Sequence, residues 1–508
     1  MTDVLFGQGY SLRLDPKLQA AGQPYAPLGT LYAAAHLRAR GRRVALHDAM
    51  IAESSAEWDV ALARHRPRTA VLYEDGFNYL TKMCLLRVRE EAVAMIAAAR
   101  GRGSTVLVAS SDATDHPEPY LAAGARAVVA GEGEITLGEA LDTLESGGEL
   151  RAVPGLILPA AGGGVHRTVP RPTLKDLDTL PPPAWDLVDV AAYRARWKAR
   201  HGYFSMNAVT TRGCPYHCNW CAKPIYGQRY AVRSAGAVAS EMAWLKRTCA
   251  PDHVAFFDDL FGLVPGWVEE FAEQLAARDA VIPFKCLSRA DRLDDDTVRA
   301  LSRAGCRTVW IGVESGSQKI LDAMEKGTTV VQVREATARL RASGIDVGFF
   351  LQFGYPGEGL PEIQETLDLV RDCRPDDVGI SVAYPLPGTP FYDRVRAQLG
   401  AKQNWVDSDD LAMMYHGPFP TEFYRTLHRV VHHELRLRGG GGARPGAARP
   451  LRRAAGLLYA AGAPPLDRWR LRRLARVPHP GAPVLPAAMS RAEAAVPSPP
   501  LSPRSGSA

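Results

Sequence analysis

The sequence predicts an α/β protein built as two parallel-sheet units in tandem, a doubly wound sheet followed by a partial barrel. Three observations predict it. Apolar strand-like runs alternate with helical patterns through residues 3–150, and the same alternation restarts near Tyr203 for six further strand–helix units. Between them, residues 151–200 carry Pro154, Pro159, Pro170, Pro172 and Leu180-Pro-Pro-Pro-Ala-Trp185, which no helix or central strand tolerates.

In residues 1–150, Val4-Leu-Phe6 suits a buried first strand. Pro27 to Gly41 reads as a helix: Pro27 suits its start, Gly41 its C-cap, and Leu28, Leu31, Tyr32 and Ala35 share one face. Strands follow at Val44–Asp48, Thr69–Tyr73, Thr105–Ala109 and Ala127–Ala130, with helices at Glu90–Arg100 and from Thr136. A sheet wound this way binds ligands at the carboxyl ends of its strands. Ser110, Ser111, Asp112 and Thr114 stand at one such end, and Gly131-Glu132-Gly-Glu134 at another.

After the linker, strands are expected at 205–211, His253–Phe257, Phe284–Ser288, Thr308–Val313, Val347–Phe353 and Val378–Ala383. Helices at Ala235–Thr248, Trp267–Ala277, Asp295–Gly305, Val331–Ser343 and Glu362–Asp372 fill the gaps, giving a partial (β/α)6 barrel of TIM type over 201–400. Its active site belongs at the strand carboxyl ends. Those ends carry Asp258-Asp259, Ser288-Arg289, Glu314-Ser315-Gly316-Ser317, Gly354 and Tyr384-Pro-Leu-Pro-Gly388. Tyr355, Tyr384 and Cys286 lie near them, with core packing as the competing role. A helix over Thr421–Arg436 within residues 401–438 carries His428, His432 and His433, read as a solvated face because no H-E-x-x-H pattern is present.

Chemistry concentrates just past the first barrel strand, in Thr211-Arg-Gly-Cys214-Pro-Tyr-His-Cys218-Asn-Trp-Cys221. Thiolates in C-x₃-C-x₂-C spacing suit an iron–sulfur cluster with one iron left open to a small molecule. The competing readings are a zinc site completed by His217 or a distant cysteine, and three unrelated cysteines. No second C-x₂-C pair exists among Cys84, Cys249, Cys286, Cys306 and Cys373.

This triplet, with an aromatic, Trp220, before the last cysteine, resembles the radical S-adenosylmethionine (radical SAM) superfamily. The resemblance implies that Cys214, Cys218 and Cys221 each ligate one iron of a [4Fe–4S] cluster. SAM chelates the fourth iron, and an external electron donor of flavodoxin or ferredoxin type drives cleavage to a 5′-deoxyadenosyl radical. It further implies SAM contacts from Asp258, Asp259, Ser288, Arg289, Glu314, Ser315 and Gly354. In residues 3–150, Pro27-Leu-Gly at a helix start, a strand ending in Asp48, and Gly131-Glu-Gly-Glu-Ile-Thr136 are similar to the Rossmann-like cobalamin-binding domain that precedes many radical SAM domains. That likeness implies cobalamin contacts from Ser110, Ser111, Asp112, Gly131 and Glu132. The D-x-H-x-x-G motif is missing, since residues 7–16 contain no histidine, so cobalamin is expected to bind without histidine ligation.

The implied function is methylation of an unactivated carbon in a small natural-product or lipid-like substrate, with methylcobalamin relaying the methyl group. The same architecture serves cyclases and rearrangement enzymes, such as the anaerobic cyclase of chlorophyll biosynthesis. A non-catalytic cobalamin or redox sensor is a third reading, and the SAM-type motifs argue against it.

Composition bounds the rest. No stretch nears the roughly 18 uninterrupted apolar residues of a membrane span, no secretory signal is evident, and eight cysteines with three assigned to a cluster fit a cytoplasmic protein. The net charge of +6 is set by residues 439–508, where 11 arginines face only Asp467 and Glu493, leaving residues 1–438 net acidic. That Gly-, Ala-, Pro- and Arg-rich stretch is expected to be an unstructured tail with one short amphipathic piece at Leu466–Leu474, and it gives no folded basic face for nucleic acid.

Overall fold

The structure is a computed structural model that describes residues 2–78, 85–221, 226–400, 402–437 and 466–476. Its first sheet has seven strands: β1 (Val4–Gly7), β2 (Val44–Leu46), β3 (Thr69–Tyr73), β4 (Thr105–Ala109), β5 (Ala127–Val129), β6 (Leu156–Pro159) and β7 (Val165–Arg167), in the order β2-β1-β3-β4-β5-β6-β7. The first five run parallel. The chain reverses its direction of travel between β1 and β3, the switch point at which such sheets open a ligand crevice.

Period-two alternation covers both faces. Phe6, Val71 and Leu107 pack with Leu37, Leu137 and Leu141 on one side, while Leu5, Leu72 and Val108 pack with Trp58, Leu62 and Ile96 on the other. The sheet extends beyond the expected boundary at residue 150. Leu156-Ile-Leu158 is an apolar run that pairs antiparallel with β5, and Gly162, Gly163 and Gly164, all at positive φ, turn the chain into β7. Pro159 is tolerated because it ends its strand near the sheet edge. The linker therefore begins past Arg167 and holds a helix, Val190–His201, whose Trp197 is fully buried and donates to the Pro24 carbonyl (2.7 Å).

The second sheet contains β8 (Ser205–Ala208), β11 (His253–Phe256), β12 (Phe284–Ser288), β13 (Cys306–Glu314), β14 (Asp346–Phe353) and β15 (Asp377–Val382), all parallel and in sequence order. Helices Ala235–Thr248, Trp267–Ala277, Asp295–Ala304, Val330–Ala342 and Leu360–Cys373 connect them, within a residue or two of expectation. Val309, Ile311, Val313, Phe349, Leu351 and Phe353 join the large core, while the alternate residues face the lumen. Between β8 and β11, β9 (Thr211–Arg212) pairs antiparallel with β10 (Ala231–Val232), a ribbon that closes the base of the cysteine loop.

The helix Thr421–Leu437 is not a solvated face. His428 and His432 are half-buried with rings 4.3 Å apart, and burial pushes their pKa values down to about 4 and about 3. The expectation of an unstructured tail is also corrected in part. Residues 466–474 are helical and dock on this helix, where Arg468 pairs with Glu434 (2.6 Å), Asp467 lies 3.6 Å from His433, and Leu471 and Leu474 join the core. Opposite charges and a few leucines suffice to order the amphipathic piece. The rest of 439–508 lies outside the described residues. Among the described residues no helix is long and apolar enough to cross a membrane.

Candidate active site at the junction of the two units

The cysteine loop starts from a glycine that nothing else could replace. Gly213 has φ 79°, and a Cβ there would stand 2.1 Å from the Arg229 carbonyl oxygen. Just before it, the Asp258 carboxylate accepts from the Thr210 and Thr211 N–H groups (2.7 Å each) and from both hydroxyls (2.9 and 3.1 Å). Burial nevertheless raises the Asp258 pKa to about 7, against those hydrogen bonds. Asp258 thus anchors the loop's entry.

At the far end, Asn219 pins the loop to the barrel top. Its amide donates to the Ala323 carbonyl (2.8 Å), its N–H to the Met324 carbonyl (3.1 Å), and Tyr355 donates its hydroxyl to Asn219 Oδ1 (2.8 Å). In the middle, Tyr216 lies under the Arg289 guanidinium (3.6 Å to the ring centre) and accepts from Arg292 (2.7 Å). Cys218 is buried, Cys214 and Cys221 are half-buried, and none of the three is in a disulfide. Among the described residues no three His, Cys, Asp or Glu side chains converge on a single metal ion. A zinc site demands such convergence; a cluster does not, because each thiolate holds a different iron.

The surroundings suit an anionic thiolate cluster. Lys326 donates to Glu314 (2.8 Å), and Arg289 donates to the Lys326 and Gly327 carbonyls (2.9 and 3.2 Å). Burial opposes the charge on both cations. Their carboxylate partners outweigh it, with Cys218 contributing, and both pKa values rise. Glu314 sits at φ 63°, left-handed for a non-glycine residue. The indole Nε1 of Trp220 is buried with no hydrogen-bond partner among the described residues.

Of the expected SAM contacts, Arg289 and Glu314 hold the cysteine loop's support, and Ser315 is fully buried in hydrogen bonds with Thr366 (3.2 Å) and the Ser317 N–H (3.1 Å). Asp259, Ser288 and Gly354 stand at the ends of β11, β12 and β14; Gly354 has φ 83°, with its N–H donated to Glu358 (2.5 Å). Cys286 faces the core fully buried and Tyr384 stacks on Trp405 (4.5 Å), so both are packing residues.

The first unit meets this loop through a cavity at the carboxyl ends of β3, β4 and β5. Gly29, Tyr73, Glu74, Gly76, Ser110, Thr114, Gly131, Glu132 and Glu134 line it, and Tyr226 of the barrel unit closes it. Arg212, two residues before Cys214, crosses between the units. It pairs with Glu134 (2.7 Å) and Glu132 (3.2 Å), within 6 Å of the Tyr32, Phe77 and Tyr226 rings at 5.7, 5.6 and 5.4 Å. Sequence reasoning missed it, although an arginine fixed beside the first cysteine and a Glu-x-Glu pair after a strand end were both visible.

Of the expected cobalamin contacts, Ser110, Gly131 and Glu132 line the cavity. Asp112 is held bidentate by Arg89 (2.6 and 2.5 Å) and accepts from Tyr120 (2.6 Å), and neither it nor Ser111 lines the cavity. Glu132 lines it but is engaged by Arg212 and by the Leu174 N–H (2.5 Å). Ser110 caps the following helix, accepting from the Ala113 N–H (2.9 Å), and Gly131 turns with φ 77°. The loop after β1 carries Gln8, which accepts from the Ala49 N–H (3.2 Å), and Gly9, whose N–H goes to Glu74 (2.5 Å). Burial raises Glu74 to about pKa 7 against that bond. Among the described residues no histidine lines the cavity; His47 tilts against Trp58 (5.5 Å) and His36 lies beside Gly138.

The sequence profile of the Radical SAM superfamily matches residues 208–370. This chain carries a radical SAM domain. Relatives of the chain include an "uncharacterized methyltransferase" of Pyrococcus horikoshii, 30% identical over 55% of this chain and 60% of that one. Another is the anaerobic magnesium-protoporphyrin IX monomethyl ester cyclase of Synechocystis, 29% identical over 43% of each. The match thus spans about half the length of these relatives. Among solved structures, the cobalamin-dependent radical SAM enzyme OxsB with aqua-cobalamin bound superposes with TM-score 0.71 at 18% identity, covering 93% of this chain and 72% of that one. The radical SAM methyltransferase TsrM of Kitasatospora setae, with cobalamin and a [4Fe–4S] cluster, superposes with TM-score 0.65 at 19% identity, covering 78% and 75%. At 18–19% identity these likenesses show the fold, and they extend over most of this chain.

Proposed function

We propose that this radical SAM protein is a cobalamin-dependent methyltransferase acting on a small molecule. One observation carries the reading: Arg212, two residues before Cys214, is ion-paired to Glu132 and Glu134, which line the first unit's cavity, and Tyr226 of the barrel unit closes that cavity. Two separate cofactor sites would not need that junction.

Cys214, Cys218 and Cys221 would hold the cluster, and the cavity bounded by Gly29, Gly76, Ser110, Thr114, Gly131 and Tyr226 would hold the corrinoid. The cluster supplies the electron for SAM cleavage and the corrinoid supplies methyl relay. The chain's own residues keep that chemistry dry and aligned. Asp258 and Asn219 fix both ends of the loop, Arg289 and Lys326 would stabilise its charge, and Glu74 holds the loop after β1 through the Gly9 N–H. The methyltransferase relative and the two cobalamin-bound structures support this reading. The cyclase relative supports a second, radical cyclisation without methyl transfer.

Anaerobically reconstituted protein supplied with SAM, reductant and substrate separates them. 5′-Deoxyadenosine together with S-adenosylhomocysteine is the methyltransferase result. 5′-Deoxyadenosine alone is the cyclase result and would overturn the first reading.

A further inference from the structure

We propose that the docked segment 466–476 presents a basic, tryptophan-bearing face that seats the protein on an anionic lipid bilayer surface. None of its residues lines the first unit's cavity, and the role does not depend on which reaction the barrel carries out.

The two sides of the segment follow from its helical period. Asp467, Leu471 and Leu474 fall at i, i+4 and i+7, a single stripe. That stripe faces the protein: Asp467 lies 3.6 Å from both Arg429 and His433, and the two leucines pack on the core. Leu466, Trp469, Arg473 and Arg476 fall at i, i+3, i+7 and i+10, on the opposite side, and all four are exposed. Leu466 is 69% exposed and Trp469 58%, whereas among the described residues no other tryptophan, tyrosine or phenylalanine exceeds 38%. Isolated apolar exposure is ordinary, but an exposed indole and leucine one turn apart, rimmed by charge, mark a contact surface.

The charge on that side is of one sign. The segment holds five arginines and a single acid, Asp467, which is turned inward. Arg468 is taken by Glu434 (2.6 Å). Arg470, Arg472, Arg473 and Arg476 are exposed, and among the described residues none of them pairs with a carboxylate. The Arg473 guanidinium stands 5.7 Å from the centre of the Trp469 ring, so cation and indole form one patch. The expectation that residues 439–508 give no folded basic face is thereby corrected.

A bilayer interface answers both halves of this patch. Lipid phosphates take the guanidinium groups, while indole and leucine enter the boundary between headgroups and acyl chains. A nucleic acid duplex would use the arginines and leave Leu466 and Trp469 idle, and a single strand stacks successive bases on several aromatics where this face has one. The six other arginines of residues 439–508 lie in sequence on both flanks of the segment and are drawn to the same charged surface. The contact is peripheral, since among the described residues no helix is long and apolar enough to cross a membrane.

The test is co-sedimentation of the full-length reconstituted protein with vesicles of phosphatidylcholine alone or of phosphatidylcholine mixed with phosphatidylglycerol. Wild type should bind the anionic vesicles at least about tenfold more tightly and be released by high salt. Each arginine near such a surface contributes roughly fivefold, so changing Arg470, Arg472, Arg473 and Arg476 together to glutamine should cost about a hundredfold or more. The same four changed to lysine should bind as wild type does, and Trp469→Ser should weaken anionic binding about tenfold. These changes spare the inward stripe, so melting temperature and iron content should stay at their wild-type values. Equal binding to both vesicle types, no binding, or a glutamine variant that binds like wild type would each overturn the proposal. Duplex DNA bound as tightly as anionic vesicles, with Trp469→Ser indifferent to both, would reduce the face to a general polyanion patch and overturn the lipid assignment. Self-association lost in the glutamine variant, without vesicle binding, would assign the face to a second copy of the chain instead.

Discussion

Removing the charge of Arg212 tests how the two units are joined. The Arg212, Glu132 and Glu134 side chains are 4%, 6% and 3% exposed, so Arg212→Met strands two carboxylates in the interface with methionine filling the arginine's space. Breaking a buried ion pair from one side costs about 3–5 kcal/mol, and about 2–4 °C of melting temperature is lost per kcal/mol for units of 150–250 residues. A fall of roughly 6–20 °C is expected by differential scanning fluorimetry. Burial already holds the Glu132 pKa above its ordinary value, Arg212 opposing. In the variant that opposition is gone. An acid whose folded pKa is raised stabilises the fold least above that pKa, so the deficit should grow as pH rises above the ordinary carboxylate range. The double variant Arg212→Met with Glu134→Gln should recover part of the loss, because one stranded charge is gone. A variant within 2 °C of wild type, roughly the scale of 1 kcal/mol, or strictly additive double-mutant effects, would refute the idea that this triad holds the units together.

Three further outcomes follow from the site and the chain's end. Replacing Cys214, Cys218 and Cys221 together by alanine should abolish the brown colour and all SAM cleavage, and stoichiometric iron and sulfide in the triple variant would show the ligands to be misassigned. Bound cob(II)alamin should show no nitrogen splitting from a protein imidazole in its electron paramagnetic resonance spectrum, since Gln8 and Gly9 occupy the loop after β1; a clear imidazole triplet would contradict this. Truncation after residue 438 should lower thermal stability relative to truncation after residue 476, because the first removes Asp467, Leu471 and Leu474 from the helix Thr421–Leu437. Equal melting temperatures would mean that the docked helix adds nothing.

The fold and the cysteine loop were legible in the sequence because both are written in local code. Strand and helix periods are set by neighbouring residues, and three cysteines spaced four and three positions apart need no tertiary contact to be recognised. The prolines of residues 151–200 hid the β6–β7 hairpin, since the last residue of a strand tolerates Pro159 where a strand interior would not. What only the tertiary structure decided is which polar residues are free. Asp258, Asp112 and Glu132 look alike in sequence, as acids just past strand ends. Whether each faces a ligand or a backbone depends on partners tens of residues away: Thr210 and Thr211 for Asp258, Arg89 for Asp112, and Arg212 for Glu132. The same holds for Gln352, which stands out only once folding shows its Oε1 buried with no hydrogen bond among the described residues. Covalent neighbours fix what a segment becomes, while desolvation and hydrogen-bond satisfaction are settled between segments distant in the chain, and those two terms select the groups left over for chemistry.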